Sequence, residues 1–175
     1  MAPASRADEA VIVALGANLV GSYASLEDLL EAALGRFESE GLKVVARSRW
    51  WKSAAWPDPA GPEYRNGVAI VETRLGPADT LAALRRIERA FGRERGEPNA
   101  PRTLDLDLIA HGRTVMDEGG LSLPHPRAHE RLFVVGPLAE VLPDWRHPQT
   151  CVTAESLART AAVGRDAAPC ALLNG

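Results

Sequence analysis

The chain has 175 residues, 46% hydrophobic and 25% charged, with 23 acidic against 20 basic side chains and a formal net charge of −3. That length buries enough surface for one core without staples, and the acidic balance argues against a whole-surface nucleic-acid binder. No run approaches the roughly 20 apolar residues that span a bilayer, and two cysteines, Cys151 and Cys170, make neither a disulfide framework nor a four-ligand zinc site.

Residues 1–9 read as a flexible lead-in, 10–161 as a single domain and 162–175 as a mobile tail. The run 10–15 (AVIVAL) is too short for a signal peptide and reads as a strand buried on both faces, closed by Gly16-Ala17-Asn18. Ser22 or Ser25 then caps a helix over 26–37, where Leu26, Leu29, Leu30, Ala33, Leu34 and Phe37 recur at helical spacing until Gly41 stops it. Residues 42–51 read as a second strand, and Pro57, Pro59 and Pro62 make the following stretch a loop. A third strand spans 64–73. Pro77 opens a second amphipathic helix carrying Leu81, Leu84, Ile87, Ala90 and Phe91. After Gly92 and an Arg-rich loop, 103–110 (TLDLDLIA) alternates strictly and reads as a fourth strand. Residues 111–122 are turn-rich, 123–127 a rigid loop, 129–142 a turn or helix, and 153–161 a last short helix. The order β-α-β-β-α-β is that of a ferredoxin-like α+β sandwich, an antiparallel sheet with its two helices on one face, here with C-terminal additions.

The most informative pentapeptide is Leu104-Asp105-Leu106-Asp107-Leu108. On a strand the two carboxylates share one face and the leucines the other. Two readings stand: the solvated face of an edge strand, or a hard oxygen pair suited to magnesium, completed by water and substrate phosphates. Upstream lie Arg93, Arg95 and Arg102. Only Lys43 and Lys52 are lysines among the 20 basic residues, leaving 18 arginines, whose planar forks suit phosphate. The alternative pairs Arg93 and Arg95 with Glu94 and Glu97. His125, between Pro124 and Pro126, is stiffly held, either as a donor to phosphate or as a loop histidine satisfied by a carbonyl. Arg131 is a further fork downstream. Trp50 and Trp51 read as core. Trp56, in the proline-rich loop, is placed to cap a flat heterocycle. Asn66 shares a strand face with Tyr64; it either reads a ring edge or makes a plain strand-face hydrogen bond. There is no GxxxxGK[ST], GxGxxG or GxSxG.

At this point the segment FGRERGEPNAPRTLDLDLIAHG resembles the signature of the 6-hydroxymethyl-7,8-dihydropterin pyrophosphokinase family, as do VALGANLVGS, YRNGVAIVET and LPHPRAHERLFVVGPLAEVLPDW, in order over residues 10–145. The resemblance implies transfer of a pyrophosphoryl group from ATP to a pterin hydroxymethyl oxygen in folate biosynthesis, releasing AMP. It implies two Mg²⁺ ions on Asp105 and Asp107, and phosphate binding by Arg93 and Arg102. It adds nucleotide contacts from Glu88, Arg95, Leu108, His125 and Arg131. For the pterin it implies Ser53, Ala54, Trp56, Tyr64, Asn66, Asp105 and Phe133. The expected partners are the two small substrates, with no nucleic acid and no membrane, in a cytoplasmic monomer.

The chain departs from the family pattern in places. Its stretch 97–102 (EPNAPR) is one residue shorter than longer versions, so the loop is expected to close differently over ATP. Ser53-Ala54 replaces the usual Thr-Pro, and Trp56 stands where a smaller residue is often found. Two other classes compete: a ferredoxin-like nucleic-acid module and a catalytically dead homologue. The first needs a basic balance and an exposed RNP-type aromatic pattern, both lacking. The second is opposed by Asp105, Asp107, Arg93, Arg102 and His125 all being present.

Overall fold

Seven residues of unbroken apolar or small character make β1 (Val11–Ala17), in which only Gly16 is not fully buried. A strand so apolar on both faces needs cover on both, and that requirement organises the molecule. The structure, a computed structural model, describes residues 7–55, 58–92 and 104–171.

β1 lies between β4 (Tyr64–Glu72) and β5 (Asp105–His111), antiparallel to each. On its other edge β4 pairs with β2 (Lys43–Arg47) and β3 (Trp51–Ser53), and β3 pairs with the two-residue β8 (Ala168–Pro169). The hairpin β6 (Met116–Glu118) and β7 (Leu121–Leu123) forms a separate two-stranded sheet in the region expected only to be turn-rich. The fold is α+β, with an antiparallel sheet and, among the described residues, four α-helices. Among the described residues no helix is long and apolar enough to cross a membrane.

On one face pack α1 (Leu26–Leu34) and α2 (Pro77–Ala90). Leu29, Leu30, Ala33, Ala83, Leu84 and Ile87 meet Val11, Val13 and Leu15 of β1 and Leu106 and Leu108 of β5. Ser25 caps α1 by accepting the Asp28 N–H at 3.0 Å, and Pro77 opens α2. On the other face pack α3 (Leu132–Val141) and α4 (Ala154–Thr160), where Val134, Val135, Leu138 and Leu157 meet Ile12, Ala14, Val68 and Ile70. The register of β1 on β5 slips between Ile12 and Val13. That bulge lets Ile109 and Ala110 both join the second core although they are neighbours in sequence.

Two expectations need correcting. The strand read over 42–51 is two strands, because Ser48 interrupts the ladder: its hydroxyl accepts the Val68 N–H at 3.0 Å and donates to Arg49 O at 2.7 Å. The helix read to residue 37 ends at Leu34, followed by a 3-10 turn over Glu38–Glu40 and by Gly41 at φ 83°. Within the segment read as a tail, β8 adds Ala168 and Pro169 to the sheet.

Candidate functional site

Strand register assembles a polar row. Gly16 of β1 stands opposite Asn66 of β4 on one side and Asp105 of β5 on the other, and Ala14 stands opposite Asp107. Trp51 of β3 faces Asn66, and Ser53 faces Tyr64. Directly opposed residues in an antiparallel sheet project to the same side, so Ser53, Tyr64, Asn66, Asp105 and Asp107 share one face. It is the face covered by α3 and α4, and its apolar part is built from Ile12, Ala14, Val68 and Ile70. The polar row continues from that apolar part toward Gly16.

Asp105 and Asp107 are half-buried, with Leu104, Leu106 and Leu108 buried on the opposite side. Their Cα atoms lie about 6.6 Å apart along the strand. Glu88 of α2 is 2% exposed, and its Oε2 accepts the Leu106 N–H at 3.0 Å, midway between the two aspartates. This carboxylate therefore reaches the strand through its edge rather than through the polar face. Leu108 packs into the α1–α2 core, so its side chain is turned away from the row.

Asn66 is 6% exposed, and its Nδ2 donates to Ser53 Oγ at 2.9 Å. With one amide proton so held, the Oδ1 direction is fixed. A Cβ at residue 16 would stand 3.3 Å from that Oδ1. The glycine thus allows the amide to lie between β4 and β5, a role the local sequence does not announce.

The 125–133 segment brings a second group. His125 N–H donates to Ile109 O at 2.8 Å, tying the segment to β5. The Arg127 N–H donates to His125 Nδ1 at 3.2 Å, so in the neutral ring the proton sits on Nε2. Burial, then the Arg131 guanidinium, push the His125 pKa below its ordinary value, while Asp105 pulls the other way. The imidazole is accordingly a neutral donor near pH 7, within electrostatic reach of both residues. Arg131 precedes α3, and its guanidinium carbon lies 5.9 Å from the Phe133 ring centroid.

The structure therefore gathers Ser53, Tyr64, Asn66, Asp105 and Asp107 on one face, and associates His125 with Asp105 and Arg131, and Arg131 with Phe133. It sets Glu88 at the strand edge and the Leu108 side chain in the core. Ala54 follows directly on β3. Trp56, Arg93, Arg95 and Arg102 lie outside the described residues. Trp51 escaped notice as part of the site's frame. Its indole lies against Gly136, where a Cβ would come within 2.6 Å, and its Nε1 donates to Glu140 Oε1 at 2.9 Å. Only cross-strand register and a residue ninety positions away reveal this.

Among the described residues no three His, Cys, Asp or Glu side chains converge as a metal cage. Two carboxylates on one strand face instead match magnesium, which keeps several waters and is completed by substrate phosphates.

Comparisons with known proteins point to one family. Residues 12–143 match the model of the family described as 7,8-dihydro-6-hydroxymethylpterin-pyrophosphokinase (HPPK). A 2-amino-4-hydroxy-6-hydroxymethyldihydropteridine pyrophosphokinase of Synechocystis sp. is 38% identical over 156 residues, 86% of this chain and 77% of that protein. One of Pseudomonas aeruginosa is 41% identical over 143 residues, 79% of this chain and 83% of that protein. In shape, the chain resembles the crystal structure of wild-type Plasmodium falciparum HPPK-DHPS, with a TM-score of 0.66 at 11% identity, over 86% of this chain but only 44% of that one. That likeness speaks to the fold alone. The class is that of the pyrophosphokinases, ATP-dependent transferases of a diphosphate group. The chain belongs to the 7,8-dihydro-6-hydroxymethylpterin-pyrophosphokinase family.

Proposed function

We propose that the polar row centred on Asp105, Asp107 and Asn66 transfers pyrophosphate from ATP to 6-hydroxymethyl-7,8-dihydropterin, a step of folate biosynthesis. The observation that carries this reading is the register Asn66–Gly16–Asp105, which sets an amide suited to a heterocycle's edge two strands away from a metal-type carboxylate. The family match and the curated relatives support it independently.

On this reading the pterin lies against Tyr64 and Phe133, with Ser53 and Ala54 bordering it and the Asn66 amide reading its ring edge. Trp56 belongs to the same pocket by resemblance. The bond between the pterin hydroxymethyl oxygen and the β-phosphorus forms as the bond from that phosphorus to the oxygen kept by AMP breaks, and the hydroxyl proton is released to solvent. The chain's work is positioning and charge placement, with little covalent chemistry of its own. Asp105 and Asp107 would hold magnesium, two ions on this reading, which when bound offsets the charge of the phosphate chain. His125 donates from Nε2, and Arg131 supplies a fixed positive charge beside it. Arg93, Arg95 and Arg102 complete the phosphate clamp by resemblance. Glu88 acts through the strand it holds, and Leu108 offers the nucleotide only its backbone.

We read β1, α1, β2–β3, β4, α2 and β5 as following the ferredoxin-like order, with α3, α4 and β8 as additions to it. We read the active form as a monomer working in the cytoplasm.

The test is product analysis with magnesium, ATP and 6-hydroxymethyl-7,8-dihydropterin. Pterin-dependent AMP, with two phosphates gained by the pterin, supports the reading. ADP in its place, or no turnover by folded protein, overturns it.

A further inference from the structure

The family match ends at residue 143, yet the segment just after α4 touches both proposed walls of the pterin pocket. Val163 comes first: it accepts the Leu132 N–H and donates to Glu130 O, each at 2.9 Å, forming a bridge alongside Arg131. Gly164 follows at φ 73°, pressed on Phe133 so closely that a Cβ would fall 2.5 Å from the ring's Cδ1. Two residues on, Asp166 Oδ2 accepts the Ala54 N–H at 2.6 Å. Ala168 and Pro169 then pair with Lys52 and Trp51, and the Cys170 N–H donates to Trp50 O at 2.9 Å.

We propose that residues 163–170 are a strap that sets the width of the pterin pocket, with Gly164 and Asp166 as positioning residues for the substrate. The proposal deepens the functional reading above and rests on it. One end of the strap holds Phe133, the proposed stacking ring. The other holds Ala54 and pairs with Trp51 and Lys52, on either side of Ser53, which stands opposite Tyr64, the ring proposed to face Phe133. Two residues, about 7 Å of chain at full extension, separate the Phe133 contact from the Ala54 contact. That short tether limits how far the walls part, and about 7 Å is the separation a flat ring needs between two stacked neighbours at van der Waals distance. Phe133 and Ala54, the two contact points, are both assigned to the pterin, so the effect is expected on the pterin KM rather than on that of ATP.

The division between substrates makes the strap testable. Wild-type protein is assayed first for pterin-dependent AMP; if none forms, the functional reading fails and the strap proposal falls with it. Given turnover, Asp166→Ala is expected to raise the pterin KM about tenfold, the size of one charge-assisted hydrogen bond, with kcat and the ATP KM nearly unchanged. Asp166→Asn, which keeps an acceptor oxygen, recovers most of the loss. Gly164→Ala, which drives a methyl into Phe133, raises the pterin KM as well and serves as the second test if Asp166→Ala fails to fold. An unchanged pterin KM in the folded variants overturns the proposal, and so does an equal rise in both KM values, which would mark a general loosening of the fold. Either result would arise in a protein whose wild type still makes AMP, so it leaves the functional reading standing.

Discussion

The two faces of the sheet are made from alternate residues of the same strands, and they end differently. Toward α1 and α2, β1 presents Val11, Val13, Leu15 and Ala17, apolar to its last residue. Toward α3 and α4, it presents Ile12 and Ala14 and then Gly16, as β4 passes from Ile70 and Val68 to Asn66. The first face is a core from end to end. The second is a core for half its length and a polar row for the rest. Because both share a backbone, the packed half holds the polar half in place, and side chains mounted on rigid strands keep their geometry better than side chains on loops.

Substitutions on the two faces should therefore separate stability from turnover. The largest effect is expected from Asp105→Ala or Asp107→Ala, a loss of roughly a thousandfold in turnover, while thermal unfolding of these half-exposed positions stays close to wild type. A melting point lowered by about 10 °C would mean the row also holds the fold together, and the contrast would collapse. On the sealed face, Leu84→Ala is expected to cost about 3 kcal/mol of stability in denaturant titration, leaving kcat/KM of the folded fraction intact. Ser53→Ala removes the acceptor of the Asn66 amide, and a rise of about fivefold in the pterin KM is expected, with the ATP KM as control.

The smallest effect is a pH dependence confined to the α3 side. Burial is the leading cause that holds both His125 and His147 below the ordinary histidine pKa; Arg131 adds to it at His125, and His129 and Arg113 at His147. The unfolded chain then takes up these protons first. Stability is full above about pH 6.5, falls as pH drops below it, and levels off once the folded rings also protonate. Melting curves between pH 8 and 5 check the direction, and His147→Gln should flatten part of the slope; stability rising on acidification would contradict it.

How much of this was legible beforehand follows from the range over which each signal acts. The Asp-Leu-Asp alternation, the helical spacing of α1 and α2, the Ser25 cap and the Pro77 start are local, and the structure has them. Asn66 and Asp105 were each singled out, but their alignment through Gly16 depends on register across three strands, which no short stretch encodes. The break at Ser48 depends on a hydroxyl taking the Val68 N–H, and a serine in a strand gives no sign of that. The strap is the extreme case. The stretch after residue 161 shows neither helical nor strand periodicity, and its contacts are with Phe133, Ala54 and Trp50, all distant in sequence.

Glu88 has a consequence for the protein in a crowded solution. β5 is the outer strand at its end of the sheet, and an outer strand invites another chain to zip onto its spare donors and acceptors. At Leu106 that invitation is withdrawn, because a carboxylate from α2 already holds the N–H. A newcomer would have to evict a buried carboxyl group to gain one hydrogen bond. The same acid that braces the strand carrying the aspartates thereby guards against aggregation, and Glu88→Leu is expected to lower solubility as well as turnover, a change that light scattering would register.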